Sequence, residues 1–208
     1  HIGDEGLALG VDASADQLDV AREEAAMKGL KNVRFAEADV YELGLGADTF
    51  DLVYSRSLLS HLQNPQNALN EMAKLVKPGG VLVCEDIDMS SIFSMPASSE
   101  YERMVEMLLA LSKDRSTDYC VGVHMPELFT KAGFNELHVS SHQPVFNTGE
   151  KKRYWEYTLY ELVPVLIKAG ITTQHEMDAL SVGLARIGTD ESFSVAQAVQ
   201  TQVWAGKP

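Results

Sequence analysis

Residues 50–87 read FDLVYSRSLLSHLQNPQNALNEMAKLVKPGGVLVCEDI. The opening apolar run predicts a strand over 50–54, closed by the polar pair Ser55-Arg56. Pro65 suits a first helical turn, and Leu69, Met72, Ala73 and Val76 recur at helical spacing, so a helix follows. Pro78-Gly79-Gly80 then stops it, because proline cannot continue a helix and glycine takes positive φ freely. A second apolar run, 81–84, ends in Glu85-Asp86. Strand, crossover helix and strand of this length make a βαβ unit. Ligands of open parallel sheets sit at the carboxyl ends of the strands. Ser55, Arg56, Glu85 and Asp86 are therefore expected to face one site.

Working outward, an apolar run at 7–11 closes on Asp12. Ser14 suits a helix cap, and 15–28 reads as a helix turning Leu18, Ala21, Ala25 and Met27 to the sheet, ended by Gly29. A strand over 33–38 closes on Asp39, and a loop with Gly44-Leu45-Gly46 leads to Phe50. Alternating strands and helices predict a parallel, doubly wound α/β sheet. After Ile87 the pattern breaks. Residues 88–99 look irregular, 100–112 form an amphipathic helix, 116–124 a loop, and 125–132 a short helix ended by Gly133. A strand is expected over 137–145, helices over 151–168 and 173–187, and a last strand over 196–205. Pro164 is placed to kink the first of those two helices.

The 208 residues suffice for one domain with a sizeable core. Seventeen basic against 30 acidic residues give a net charge of -13, which argues against nucleic acid held on a broad basic face and against an anionic membrane surface. Cys84 and Cys120 show no zinc spacing, no metal is expected, and a reduced, cytoplasmic protein is the plain reading. No stretch is apolar for long enough to span a membrane.

Asp12 and Asp39 end two successive strands. One such carboxylate can accept from both hydroxyls of a ribose, and the next from the exocyclic amine of a purine. Each also fits an ordinary strand-end turn, where aspartate is common.

The series GVDAS at 10–14, AEADV at 36–40, FDLVYSRSLLSHL at 50–62 and LVKPGGVLVCEDID at 75–88 resembles the class I S-adenosylmethionine-dependent methyltransferases. MPELFTKAGF at 125–134 and the closing VWAGKP resemble that family's last helix and its antiparallel last strand. The resemblance implies a Rossmann-like, mostly parallel sheet with an antiparallel last strand and helical lids. It implies S-adenosylmethionine as cofactor and a small-molecule methyl acceptor. Asp12, with Ala13 beside it, would hold the ribose. Asp39 would hold the adenine amine, with Val40 offering an N–H to the ring. Ser55 and Arg56 would line the sulfonium end. One domain over 1–208 is expected, with its core at about 6–88, 123–148 and 194–206, and lids at about 89–122 and 149–193. The family's first strand and glycine-rich turn should precede Gly3, and Gly44-Leu45-Gly46 cannot replace them, because it follows the second acid and opens no helix. Residues before His1 are therefore expected. The rival is a truncated chain whose sheet closes up differently, or borrows a strand from a partner.

Methyl transfer from a sulfonium needs in-line approach and a dry site more than strong acid or base. A hydroxyl or phenol acceptor would be helped by a base. His61, Glu85 and His124 are the candidates, each also readable as a structural or solvated residue. Arg56 could bind a substrate carboxylate or pair with Glu85 or Asp86. Tyr154, Trp155, Tyr157 and Tyr160 could wall a pocket or pack a lid, and Met89, Met95, Met104, Met107 and Met125 could line it or fill a core. Two other functions stay open: a nicotinamide-dependent oxidoreductase, and a non-catalytic binding or dimerisation module. A homodimer is a further expectation.

Overall fold

The computed structural model describes residues 2, 3 and 5–208. Strands β1 (Ala8–Asp12) and β2 (Val33–Glu37) pair in parallel, with Asp12 opposite Glu37. Helix α1 (Ala15–Met27) joins them, capped by Ser14, whose side chain accepts from the Gln17 N–H at 3.4 Å. Gly29, at φ 67°, closes it. Leu18 is buried and Ala21 and Ala25 half-buried, but Met27 is 79% exposed, against expectation. Nine residues separate Leu18 from Met27, about two and a half turns, so the two point to opposite faces.

Strand β3 (Phe50–Arg56), helix α2 (Pro65–Leu75) and strand β4 (Val76–Asp88) form the parallel βαβ unit. Four features differ from the sequence reading. Ser55 and Arg56 belong to β3. Val76 starts β4 instead of ending α2. Pro78-Gly79-Gly80 lies inside β4 and makes an irregularity in its pairing with β3: Phe50 opposes Val76, yet Leu52 opposes Val81. Gly79 takes φ 79°, which only glycine adopts freely, and a Cβ on Gly80 would stand 2.9 Å from the Asp51 carbonyl oxygen. At its other end β4 runs past Glu85-Asp86 to Asp88.

The rest of the chain supplies β5 (Phe93–Met95), α3 (Ser99–Asp114), α4 (Met125–Lys131), β6 (His138–His142), β7 (Val145–Phe146), α5 (Tyr154–Lys168), α6 (Gln174–Thr189), β8 (Ser194–Ala196) and β9 (Val199–Gly206). β9 runs antiparallel to both β4 and β6, giving the order β3-β4-β9-β6. A small second sheet has the order β5-β8-β7. Two segments expected as single strands are thus split between sheets. Gln143-Pro144 separates β6 from β7, since proline lacks the N–H a ladder needs. Gln197-Ala198 separates β8 from β9, and the Gln197 N–H donates to the Pro144 carbonyl at 2.9 Å. The stretch 88–99 is also more regular than expected, with a 3-10 turn at Met89–Ser91 before β5.

The fold is α/β, with two parallel strand pairs and an antiparallel end. Among the described residues β1 and β3 do not hydrogen-bond to each other, and no strand lies between them. The sheet has not closed up. Leu52 and Tyr54 on β3 are each 53% exposed.

Two hydrophobic cores form. One packs α2 and α4 on β4 and β9, through Leu69, Met72, Leu82, Phe129, Phe134 and Val203. The other joins α3, α5 and α6, through Met104, Leu108, Leu111, Leu159, Leu184 and Ile187. Burying a side chain of this size contributes about 1.5–3 kcal/mol, so each set is a core in its own right. Met104, Met107 and Met125 fill these cores, whereas Met95 is exposed.

Candidate active site

Two clefts flank the carboxyl end of β3. The first, of about 370 Å³, lies between the two parallel pairs. Its polar end holds Asp12, Ala13, Asp39, Val40 and Ser55, and its floor holds Leu9, Val11, Leu52 and Val53. The two acids share one local design. The Asp12 carboxylate accepts from the Ser14 N–H at 2.8 Å, and the Asp39 carboxylate from the Tyr41 N–H at 2.9 Å. In each turn one carboxylate oxygen is fixed by the backbone, and the other has no protein partner among the described residues. β1 and β2 are adjacent strands, so the acids stand side by side at one mouth. A nucleoside fits that chemistry: paired acceptors above an apolar floor.

The second cleft, of about 620 Å³, lies between the tip of the main sheet and the helices α3 and α5. Its rings come from His61, Tyr119, Phe146, Tyr154 and Trp155, and its aliphatic surface from Ile87, Met89, Leu108 and Leu162. Both volumes fall in the range of small-molecule sites. Ser55 lines the first cleft and the next residue, Arg56, the second, so the end of β3 divides them.

The turn that carries His61 is held by a buried acid. Asp86, only 1% exposed, accepts from the Ser60 N–H at 3.3 Å and from the Ile87 N–H at 3.0 Å. This ties the 3-10 turn Leu59–His61 to β4. The His61 ring meets Tyr119 edge-on, with centroids 5.8 Å apart, and Arg115 donates to the Tyr119 hydroxyl at 3.3 Å. Tyr54, at the end of the first cleft, has its phenol pushed up by burial and then by the Glu85 charge.

The other sequence candidates are dispersed. Glu85 pairs with Arg56 at 3.1 Å, accepts from Gln202, and lines neither cleft. His124 stands at the start of α4, largely exposed, 3.7 Å from Asp118, and also lines neither. Tyr154 and Trp155 reach the second cleft, but Tyr157 and Tyr160 lie on the exposed side of α5. Sequence reasoning passed over Ser60, Arg115, Tyr119 and Lys151, all in the second cleft. Only the basic run Lys151-Lys152-Arg153, in so acidic a chain, offered a signal. Among the described residues no cluster of His, Cys, Asp or Glu could hold a metal ion. No helix there is long and apolar enough to cross a membrane.

A methyltransferase domain model matches residues 2–160. The chain is 30% identical over 167 residues to the probable methyltransferase ltbC of Aspergillus luteorubrus, covering 73% of this chain and 58% of that protein. It superposes on the YcgJ protein of Bacillus subtilis with a TM-score of 0.61 at 16% identity, covering 97% of this chain and 83% of that one. It also superposes, at TM-score 0.53 and 20% identity, on a Haemonchus contortus phosphoethanolamine N-methyltransferase solved with S-adenosylhomocysteine, covering 96% of this chain and 43% of that one. The chain belongs to the class I S-adenosylmethionine-dependent methyltransferase family. It spans about half the length of the curated relatives it matches.

Proposed function

We propose that this chain works in methyl transfer from S-adenosylmethionine to a small-molecule acceptor. One observation carries the reading: Asp12 and Asp39, at the tips of neighbouring strands, line one cleft with a free carboxylate oxygen each. In this reading Asp12, with Ala13, takes the ribose hydroxyls, and Asp39 takes the adenine amine, with Val40 beside the ring. Ser55 and Arg56 border the passage to the second cleft, which receives the acceptor. The bound cofactor supplies an electrophilic methyl carbon. The residues here hold the two molecules in line and keep water out, which is most of what this displacement requires. His61, on the turn fixed through Asp86, is the group in the acceptor cleft able to take a proton from a hydroxyl or phenol. Residues 89–122 and 149–193 act as the lid over a core at about 6–88, 123–148 and 194–206.

Calorimetry with S-adenosylhomocysteine tests the cofactor site. Hydrogen bonds to a charged acceptor are worth about 1.5–3 kcal/mol, so Asp39→Ala should weaken binding about 10- to 100-fold. Equal affinity of the variant and the parent chain would remove Asp39 from the site.

A further inference from the structure

The acceptor cleft has a charge opposite to the rest of the molecule. The chain carries -13, yet the charged side chains lining this cleft are Arg56, Arg115 and Lys151, with no carboxylate among them. Arg56 is already paired with Glu85. Arg115 and Lys151 have no carboxylate partner among the described residues. Among the described residues the Arg115 guanidinium donates only to the Tyr119 hydroxyl, and Lys151 sits 5.9 Å from the centre of the Phe146 ring. They come from different walls, Arg115 from the end of α3 and Lys151 from the turn before α5.

A second observation is independent of charge. Trp155 and Ser60 both line the cleft, are 5% and 1% exposed, and carry an indole N–H and a hydroxyl with no hydrogen-bond partner among the described residues. A buried donor without a partner costs about 1–3 kcal/mol, but both atoms are shut off from solvent in this structure, so a bound molecule reaches them only if the cleft wall shifts. The remaining surface is ring and aliphatic, suited to a flat apolar body.

We propose that the methyl acceptor is a planar, mainly apolar molecule bearing a carboxylate, gripped by Arg115 and Lys151. The proposal rests on the second cleft being the acceptor site. It concerns recognition only, so its test needs no turnover. The probes are 2-naphthoate and 2-naphthamide, alike in shape and different in charge, titrated calorimetrically with and without S-adenosylhomocysteine. Naphthoate should bind about tenfold tighter or better than the amide, and the gap should narrow with added salt. Arg115→Gln and Lys151→Met should each reduce the preference several-fold while leaving amide binding unchanged. Equal binding of the two probes, no binding of either, or variants that weaken both alike would overturn it. Lys151→Met, on the exposed turn, keeps the test available should Arg115→Gln fold poorly. Loss of S-adenosylhomocysteine binding with the naphthoate preference intact would instead count against the cofactor site alone.

Discussion

Arg56 and Glu85 are directly opposed residues of β3 and β4, joined by a 3.1 Å ion pair at the wall between the two clefts. The Arg56 side chain is 57% exposed, so solvent screens much of the attraction. Glu85→Gln should therefore cost less than about 1 kcal/mol in urea denaturation. It should also leave Arg56 free to face the second cleft and tighten 2-naphthoate binding. A loss of several kcal/mol would show that the pair is buried in solution.

The Cys84 thiol is pushed up to about 12, chiefly by burial, with the Asp86 charge adding to it and a hydrogen bond with Ser55 opposing it. Only the thiolate is nucleophilic, so Cys84 should resist a disulfide reagent at neutral pH until the chain unfolds. The unfolded thiol loses its proton near its ordinary value of 9.0, whereas the folded one holds it to about 12. Between these limits the unfolded state binds fewer protons, and stability falls as pH rises. Melting temperatures of the parent chain should drop across that window more steeply than those of Cys84→Ala. Parallel curves would contradict the assignment.

Leu111 is fully buried in the core formed by α3, α5 and α6. Leu111→Ala should cost about 2–5 kcal/mol in thermal or urea unfolding, by lost burial and a residual cavity. S-adenosylhomocysteine affinity should stay within about twofold, because Asp12 and Asp39 lie beside the other core. A matching loss of affinity would mean that the two cores act as one.

Gly122 packs against the end of β4, where an added Cβ would lie 2.9 Å from the Ile87 carbonyl carbon and oxygen and 3.0 Å from that of Asp86. Backbone cannot yield as a flexible side chain does. Gly122→Ala should destabilise by about 1–3 kcal/mol, and a lowered melting temperature is the measurement. It should also disturb the turn that Asp86 holds under His61. An unchanged melting temperature would show that this contact is loose.

Much of the first half was legible because its signals are local. Pro65 starts α2, Gly29 ends α1, and aspartates follow β1 and β2. Met27 was misplaced because being apolar does not make a residue share a face with Leu18; the count along the helix decides. Pro78-Gly79-Gly80 reads as a helix stop, yet it resolves a mismatch between two paired strands, which no single-strand pattern reveals. The same holds for Gln143-Pro144 and Gln197-Ala198, where the chain changes sheets. The second cleft was the least legible part. Arg115 and Tyr119 lie far in sequence from Lys151 and meet it only because α3 and α5 pack over the main sheet. Of the readings open for Arg56, the structure shows the ion pair with Glu85, directly opposite it on the neighbouring strand.

The separation of the two cores bears on how such a chain can diversify. In the proposed reading, the side chains that choose the acceptor hang largely on α3, α5 and their connecting turns, while those suited to a nucleoside sit on β1 to β3. Changes to the first set can alter which molecule is accepted and leave the donor grip intact. One frame can then serve many recipients by exchange of its cover.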